Sequence, residues 1–186
     1  MSNKAVFFDR DGTINVDKNY LYKIDEFEFI PGVIDLMSYI NTKGYKIFIV
    51  TNQSGVARGY YSEYDVIHLN NWLKNTLVEE GVEITDIFYC PHHKDGIVKK
   101  YAVDCSCRKP KLELFYKAID LYDIDVNQSY VVGDKIRDCS LCFETNCHGF
   151  LVGNNEKKEI IEDVINGKYR NIEYCQNIIE CMNFIN

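Results

Sequence analysis

Five short runs rich in β-branched and aromatic residues, Ala5–Phe8, Lys46–Val50, Ile84–Tyr89, Ser129–Val132 and Phe150–Val152, mostly lack the in–out alternation of a half-exposed strand. Strands that are apolar on both faces belong in a parallel sheet covered by helices on either side. The intervening segments supply those helices. Val33, Leu36, Met37 and Ile40 recur at helical spacing, with Gly44 at the expected stop. Ser62, followed three residues later by Asp65, caps a longer helix whose Val66, Leu69, Leu73 and Leu77 share one face. A third helix follows Pro110, placed at a first helical position, and carries Leu114, Phe115, Ala118, Leu121 and Tyr122. The tail from Glu156 reads as helix, short strand and helix. The fold class is therefore α/β, a doubly wound three-layer sandwich around a central, mainly parallel sheet, with residues 1–186 forming a single domain.

A chain of 186 residues, 46% apolar and 26% charged, has enough core to fold alone. Met1–Lys4 lead straight into the first apolar run without an export signal, and no window approaches the ~20 apolar residues of a spanning helix. A cytoplasmic monomer with no membrane partner is expected. The net charge of −7 argues against a nucleic-acid partner. An anionic small molecule would need local cations, and Arg58, Arg108, Lys109, Lys111, Lys135 and Arg137 sit in or beside the polar clusters described next.

In a doubly wound fold, ligands bind beyond the carboxyl ends of the strands, and the polar clusters 9–13, 51–54 and 133–138 each follow a predicted strand. Asp9-Arg10-Asp11-Gly12-Thr13 places two carboxylates two residues apart before a glycine that permits a sharp turn. One carboxylate can attack phosphorus, and the other can protonate the leaving oxygen and then deprotonate water. A loop of solvated acids is the competing explanation for the pair alone. Thr51-Asn52-Gln53-Ser54 offers hydroxyl, amide and backbone donors to phosphoryl oxygens, although such residues also make ordinary turns. Cys107-Arg108-Lys109-Pro110 would add helix-terminal amides to two cations. Asp134, in Gly133-Asp134-Lys135-Ile136-Arg137-Asp138, can complete an oxygen-ligand site for Mg²⁺ with Asp9 and the backbone carbonyl of Asp11. Phosphoryl transfer demands charge neutralisation, which Mg²⁺, Thr51 and Lys109 supply.

The eight cysteines are unlike a disulfide framework in a chain of this kind. Cys90, His92, Cys105 and Cys107 bring three thiolates and an imidazole to one loop, the donor set of a four-coordinate Zn²⁺. With no open position such a metal is structural, stapling the loop beside the site. The gaps are shorter than finger spacing, so free buried cysteines compete with zinc, and His93 competes with its neighbour His92 as the ligand. Cys139, Cys142, Cys147 and His148 form a second candidate group, better explained by cysteines packing a helix on the sheet. His68 has no assigned role.

Together, DRDGT, TNQ, Lys109 and GDKIRD resemble, in order and context, the four motifs of the haloacid-dehalogenase superfamily. That resemblance implies Asp9 as nucleophile, Asp11 as acid/base, Thr51 and Lys109 as phosphoryl binders, Asp134 as a magnesium ligand and Asp138 as its support. DRDGTIN, TNQSGVARG, YCPHH, the CSCRKP run and VVGDK, spanning Ala5 to about Val152, are similar to the heptose-bisphosphate phosphatase subgroup, which lacks a large cap domain. The resemblance implies removal of the C7 phosphate from D-glycero-D-manno-heptose 1,7-bisphosphate, with histidinol-phosphate phosphatase as the close alternative. A phosphotransferase or mutase and an inactive phosphosugar-binding scaffold are the other competing readings. Arg10, Asp17, Lys18, Asn19, Tyr20, Asn52, Gln53, Ser54, Arg58, Arg108 and Lys135 are the substrate-binding candidates, with Arg58 or Arg108 suited to a second phosphate.

Overall fold

The computed structural model describes residues 2–185. Its strands are β1 (Ala5–Phe8), β2 (Lys46–Asn52), β3 (Asp86–Cys90), β4 (Tyr130–Gly133), β5 (His148–Val152) and β6 (Ile172–Cys175). They form one all-parallel sheet in the order β3-β2-β1-β4-β5-β6. Every β1 residue is buried, and its pleat divides two cores. Val6 and Phe8 face the core packed by α1 (Val33–Thr42) and α2 (Glu63–Glu79). Ala5 and Phe7 face the core packed by α3 (Glu113–Tyr122), α4 (Leu141–Glu144) and α5 (Lys158–Ile165). Both faces meet apolar side chains, which explains the missing alternation.

Local chemistry fixes the helix starts. At α2, Asp65 N donates to Ser62 Oγ (3.2 Å) while Ser62 N donates to Asp65 Oδ2 (2.7 Å), closing a capping box. The expected helix start at Pro110 is corrected. Lys111 N closes a turn on Arg108 O (2.9 Å), the Lys109–Pro110 peptide is cis, and α3 begins only at Glu113. Cys107–Pro110 is therefore loop and offers no helix N-terminus. Leu121 is also corrected: it is exposed, outside the α3 stripe.

Strand bounds shift with consequence at β2, which continues through Thr51 and Asn52 beside Tyr89 and Cys90 of β3. The second polar cluster thus begins on the sheet rather than in a turn. Ile84, expected in β3, is buried just before that strand. The tail gives α5, β6 and a final 3₁₀ helix, Ile178–Asn183, whose Ile178 and Cys181 pack into the core with α1. Among the described residues no helix is long and apolar enough to cross a membrane.

From β1 the chain moves to β2 and β3 on one side, then crosses to β4 on the other, so a crevice opens at the carboxyl ends of β1 and β4. Asp9 N donates to Val132 O (2.9 Å), extending that ladder by one residue and placing Asp9 at the crevice floor. Phe7, two residues before it, stacks on Phe48 (5.3 Å between centroids) and meets Phe115 edge-on (5.5 Å). Phe7→Ala should cost about 3–5 kcal/mol, read as a lower denaturant midpoint at unchanged slope.

Candidate active site

The turn after β1 is wound around one carbonyl. The amides of Thr13, Ile14 and Asn15 all donate to Arg10 O, at 3.3, 2.8 and 3.1 Å, and Gly12 N returns to Asn15 O at 2.7 Å. Gly12 has φ +92°, and a Cβ there would lie 2.3 Å from Asp134 Oδ2. Glycine at this position is what lets the loops after β1 and β4 touch.

At the floor, the buried Lys109 ammonium donates to Asp9 Oδ1 (2.7 Å) and pairs with Asp138 Oδ1 (2.8 Å). Carboxylate oxygens of Asp9, Asp134 and Asp138 lie within 4.8 Å of one another. Burial, reinforced by Asp138 and Asp134 and opposed by Lys109, pushes the Asp9 carboxyl up to about 8. Burial and the Asp138 charge push Asp134 up to about 6. Lys109 is held above its usual value because the Asp138 and Asp9 charges more than offset burial, which lowers it. Fully ionised, the three carboxylates would carry two more negative charges than the one ammonium offsets. The raised Asp9 and Asp134 reflect that excess, and the set of hard oxygens fits a divalent cation such as Mg²⁺, whose charge would favour their ionised forms.

Asp11 stands apart from this cluster and is held by three side chains. Arg10 Nη2 donates to Oδ2 (2.9 Å), Asn15 Nδ2 to Oδ1 (3.0 Å) and Gln53 Nε2 to Oδ2 (2.7 Å). Tyr61 orients Gln53 in turn by donating to its Oε1 (2.8 Å). Burial pushes the Tyr61 phenol well up, keeping it a donor. Gln53 Nε2 also donates to Thr51 Oγ1 (2.9 Å), so the acid/base candidate and the phosphoryl-binding candidate share one buried amide.

The second cluster joins β3 to the loop before α3. Cys107 Sγ lies 3.2 Å from Cys90 Sγ and 3.3 Å from Cys105 Sγ, with His92 Nδ1 3.3 Å from Cys107 Sγ. Zn–S bonds of about 2.3 Å imply tetrahedral edges of roughly 3.8 Å, so a small expansion accommodates the ion. The cluster is compatible with zinc. His93 points elsewhere: its Nε2 is 3.3 Å from Arg58 Nη2, which leaves His92 as the imidazole of the set.

The profile of the polynucleotide kinase 3 phosphatase family matches residues 4–158. The chain belongs to that family. D-glycero-beta-D-manno-heptose-1,7-bisphosphate 7-phosphatase of Haemophilus influenzae is 48% identical over 136 residues, 73% of either chain. D-glycero-alpha-D-manno-heptose-1,7-bisphosphate 7-phosphatase of Photorhabdus laumondii is 49% identical over 135 residues, 73% of this chain and 74% of that one. Among solved structures, D,D-heptose 1.7-bisphosphate phosphatase from B. bronchiseptica, complexed with magnesium and phosphate, superposes with a TM-score of 0.79 at 26% identity over 97% of both chains. Family membership carries the fold and the phosphatase chemistry, while substrate has to be argued from the cleft.

That cleft, about 250 Å³, is lined by Asp9, Asp11, Asp134 and Thr51 with the candidates Asp17, Asn19, Tyr20, Asn52, Gln53, Ser54, Arg58, Arg108 and Lys135. Two expected substrate binders are absent from its lining. Arg10 is fully buried, donating to Asn70 Oδ1 (3.1 Å), Leu21 O (3.2 Å) and Asp11; burial turns it from a ligand for substrate into a support for the acid/base candidate. Lys18 points to Glu26 O (2.9 Å) and Glu28 (3.2 Å), away from the cleft. Asn52 lines the cleft, yet its amide is spent on the Lys109 backbone, both contacts 3.1 Å.

Sequence reasoning missed Tyr61 and Asn70, which belong to no motif, and Asn15, which ends the DRDGTIN run but was given no role there. Arg137, noted only as a nearby cation, lines the cleft. Asp138, expected behind the metal site, contributes to the carboxylate cluster directly and bonds Lys109. Cys139 and Cys142 lie against Gly149 of β5, where a Cβ would be 3.2 and 3.0 Å from their sulphurs, and Cys147 donates to Ser129 O (3.1 Å). These are packing cysteines. Gly12→Ala should displace Asp134 and cost on the order of 10²-fold in turnover, checked by kcat together with the Mg²⁺ concentration giving half-maximal rate.

Proposed function

We propose that this chain hydrolyses the C7 phosphate of D-glycero-D-manno-heptose 1,7-bisphosphate in heptose precursor synthesis, through an aspartyl-phosphate. The observation that carries this reading is the buried, lysine-fixed Asp9 at the floor of a cleft that also holds Arg58, Arg108 and Arg137, enough cation for a second phosphate. Burial, with Arg137 and Arg58 nearby, holds Arg108 below its usual value, so these cations crowd one another and favour an anion between them. Relatives at 48–49% identity carry the heptose-bisphosphate phosphatase name.

In this reading Asp9 attacks phosphorus, the phosphorus–oxygen bond to C7 breaks, and the leaving oxygen takes its proton from Asp11. Asp11 then removes a proton from water, which attacks the aspartyl-phosphate, releases inorganic phosphate and restores Asp9. Lys109 and Thr51 bind phosphoryl oxygens, and Lys109 also keeps the nucleophile in place. Asp9, Asp134, the Asp11 carbonyl and the nearby Asp138 are the residues that would hold or support Mg²⁺, whose charge would offset that of the cluster and the phosphoryl group. Cys90, His92, Cys105 and Cys107 would hold a structural Zn²⁺ with no part in the chemistry.

Phosphate release with Mg²⁺ should be fastest from one anomer of the heptose bisphosphate when both anomers and histidinol phosphate are assayed in parallel. Faster release from histidinol phosphate would overturn the substrate assignment and retain the chemistry. Cys105→Ser should bring bound zinc, measured by metal analysis of the purified protein, well below one equivalent and weaken catalysis indirectly. Unchanged zinc would remove Cys105 from the ligand set.

A further inference from the structure

Two aromatic pairs join the loop after Asp11 to the turn after Thr51. Tyr22 stacks on Tyr61 with centroids 5.3 Å apart, and Tyr20 meets Tyr60 edge to face at 4.8 Å. The inner pair is tied to the chemistry, because buried Tyr61 bonds Gln53 and Gln53 bonds Asp11. The outer pair is exposed at the rim. Tyr20 lines the cleft, while Tyr60 stands behind it and does not.

Tyr20 is held in an unfavourable conformation. It and Asn19 have φ of 65° and 55°, two successive side chains in the left-handed region with no glycine. Such a pair persists only where the surroundings determine it. Asp17 Oδ1 fixes one side by accepting from Asn19 N (2.9 Å), and the Tyr60 ring meets the other. Tyr60 is itself anchored: Gly59 turns the chain at φ 72°, and Tyr60 N donates to Gly55 O (2.9 Å). Tyr61 also lines the cleft, but it is buried with its hydroxyl on Gln53; the remaining lining is mainly charged or amide-bearing, so Tyr20 is the main exposed aromatic wall.

We infer that Tyr60 is a positioning residue that holds the Tyr20 ring against the carbon skeleton of the substrate, setting affinity for the sugar rather than reactivity of the phosphate. The C–H face of a sugar ring packs on an aromatic ring, and a wall set in advance lowers the cost of binding. This inference rests on the sugar-phosphatase reading above.

The test compares the heptose bisphosphate with ethyl phosphate, whose two-carbon group leaves the Tyr20 wall unfilled. Tyr60→Ala should raise KM for the bisphosphate about five-fold or more with kcat nearly unchanged. Its kcat/KM on ethyl phosphate should equal that of the wild type, and Tyr60→Phe should behave as wild type on both. Equal losses on the two esters would overturn the inference, since Tyr60 would then act through Asp11 or through folding. An unchanged KM for the bisphosphate, or Tyr60→Phe as impaired as Tyr60→Ala, would overturn it as well. Failure of the wild-type protein to hydrolyse the bisphosphate would count against the proposed substrate instead, and the same comparison would be read on the sugar phosphate it does hydrolyse.

Discussion

Lys109 places an ammonium almost out of reach of water, 2.7 Å from Asp9 and 2.8 Å from Asp138. A buried charge of this kind is tolerable only while its partners stay in place, and stripping one partner from a buried pair typically costs about 3–5 kcal/mol. The geometry of three loops follows from it. The turn after β1 must present Asp9, the turn after β4 must present Asp138, and the loop before α3 must reach the sheet from the far side of the zinc-compatible cluster. Asn52 completes the arrangement by gripping the Lys109 backbone from the end of β2. The nucleophile candidate thus stands on a network that draws on four separate stretches of chain.

The acid/base candidate, Asp11, is insulated from that network. Asp11 takes its hydrogen bonds from Arg10, Asn15 and Gln53 rather than from Lys109, and the Arg10 side chain is buried in holding it. One carboxylate is thereby fixed by a buried ammonium and the other by amides and a guanidinium. Two groups of the same type acquire different environments two residues apart, which is what division between nucleophile and proton carrier requires.

The cysteine–histidine cluster connects to the cleft through the covalent chain. Cys107, Arg108 and Lys109 are consecutive, so one thiol of the cluster, a cleft-lining cation and the buried ammonium share one short backbone segment. On the other side of the cluster, His92 O lies 3.5 Å from Arg108 Nη1, and His93 Nε2 lies 3.3 Å from Arg58 Nη2. Order in this loop therefore translates directly into the placement of two cleft-lining arginines, Arg58 and Arg108.

The all-apolar strands, the carboxylate pair before Gly12, the polar cluster on β2, Asp134 and the thiol–imidazole set are all legible in the sequence, because each depends on residue type and short-range spacing. The starts of α2 and α3 show where that information stops. Ser62 caps α2 through a residue three positions away, a local interaction, whereas the α3 start was misplaced at Pro110 because the Lys109 backbone is held by Asn52, 57 positions distant. Arg10 and Lys18 had the charge of substrate ligands, and only the folded chain shows that one is buried beneath Asp11 and the other faces Glu26 and Glu28. Tyr61 carries no motif at all and gains its role from Gln53. Sequence alone determined which elements form and which functional groups gather at the carboxyl edge of the sheet, since hydrophobic pattern and backbone chemistry act over a few residues. Tertiary structure decided which way each charged side chain points, because a buried charge goes to whichever partner folding brings within hydrogen-bonding reach, and for Lys109 that partner is Asp9, 100 positions away.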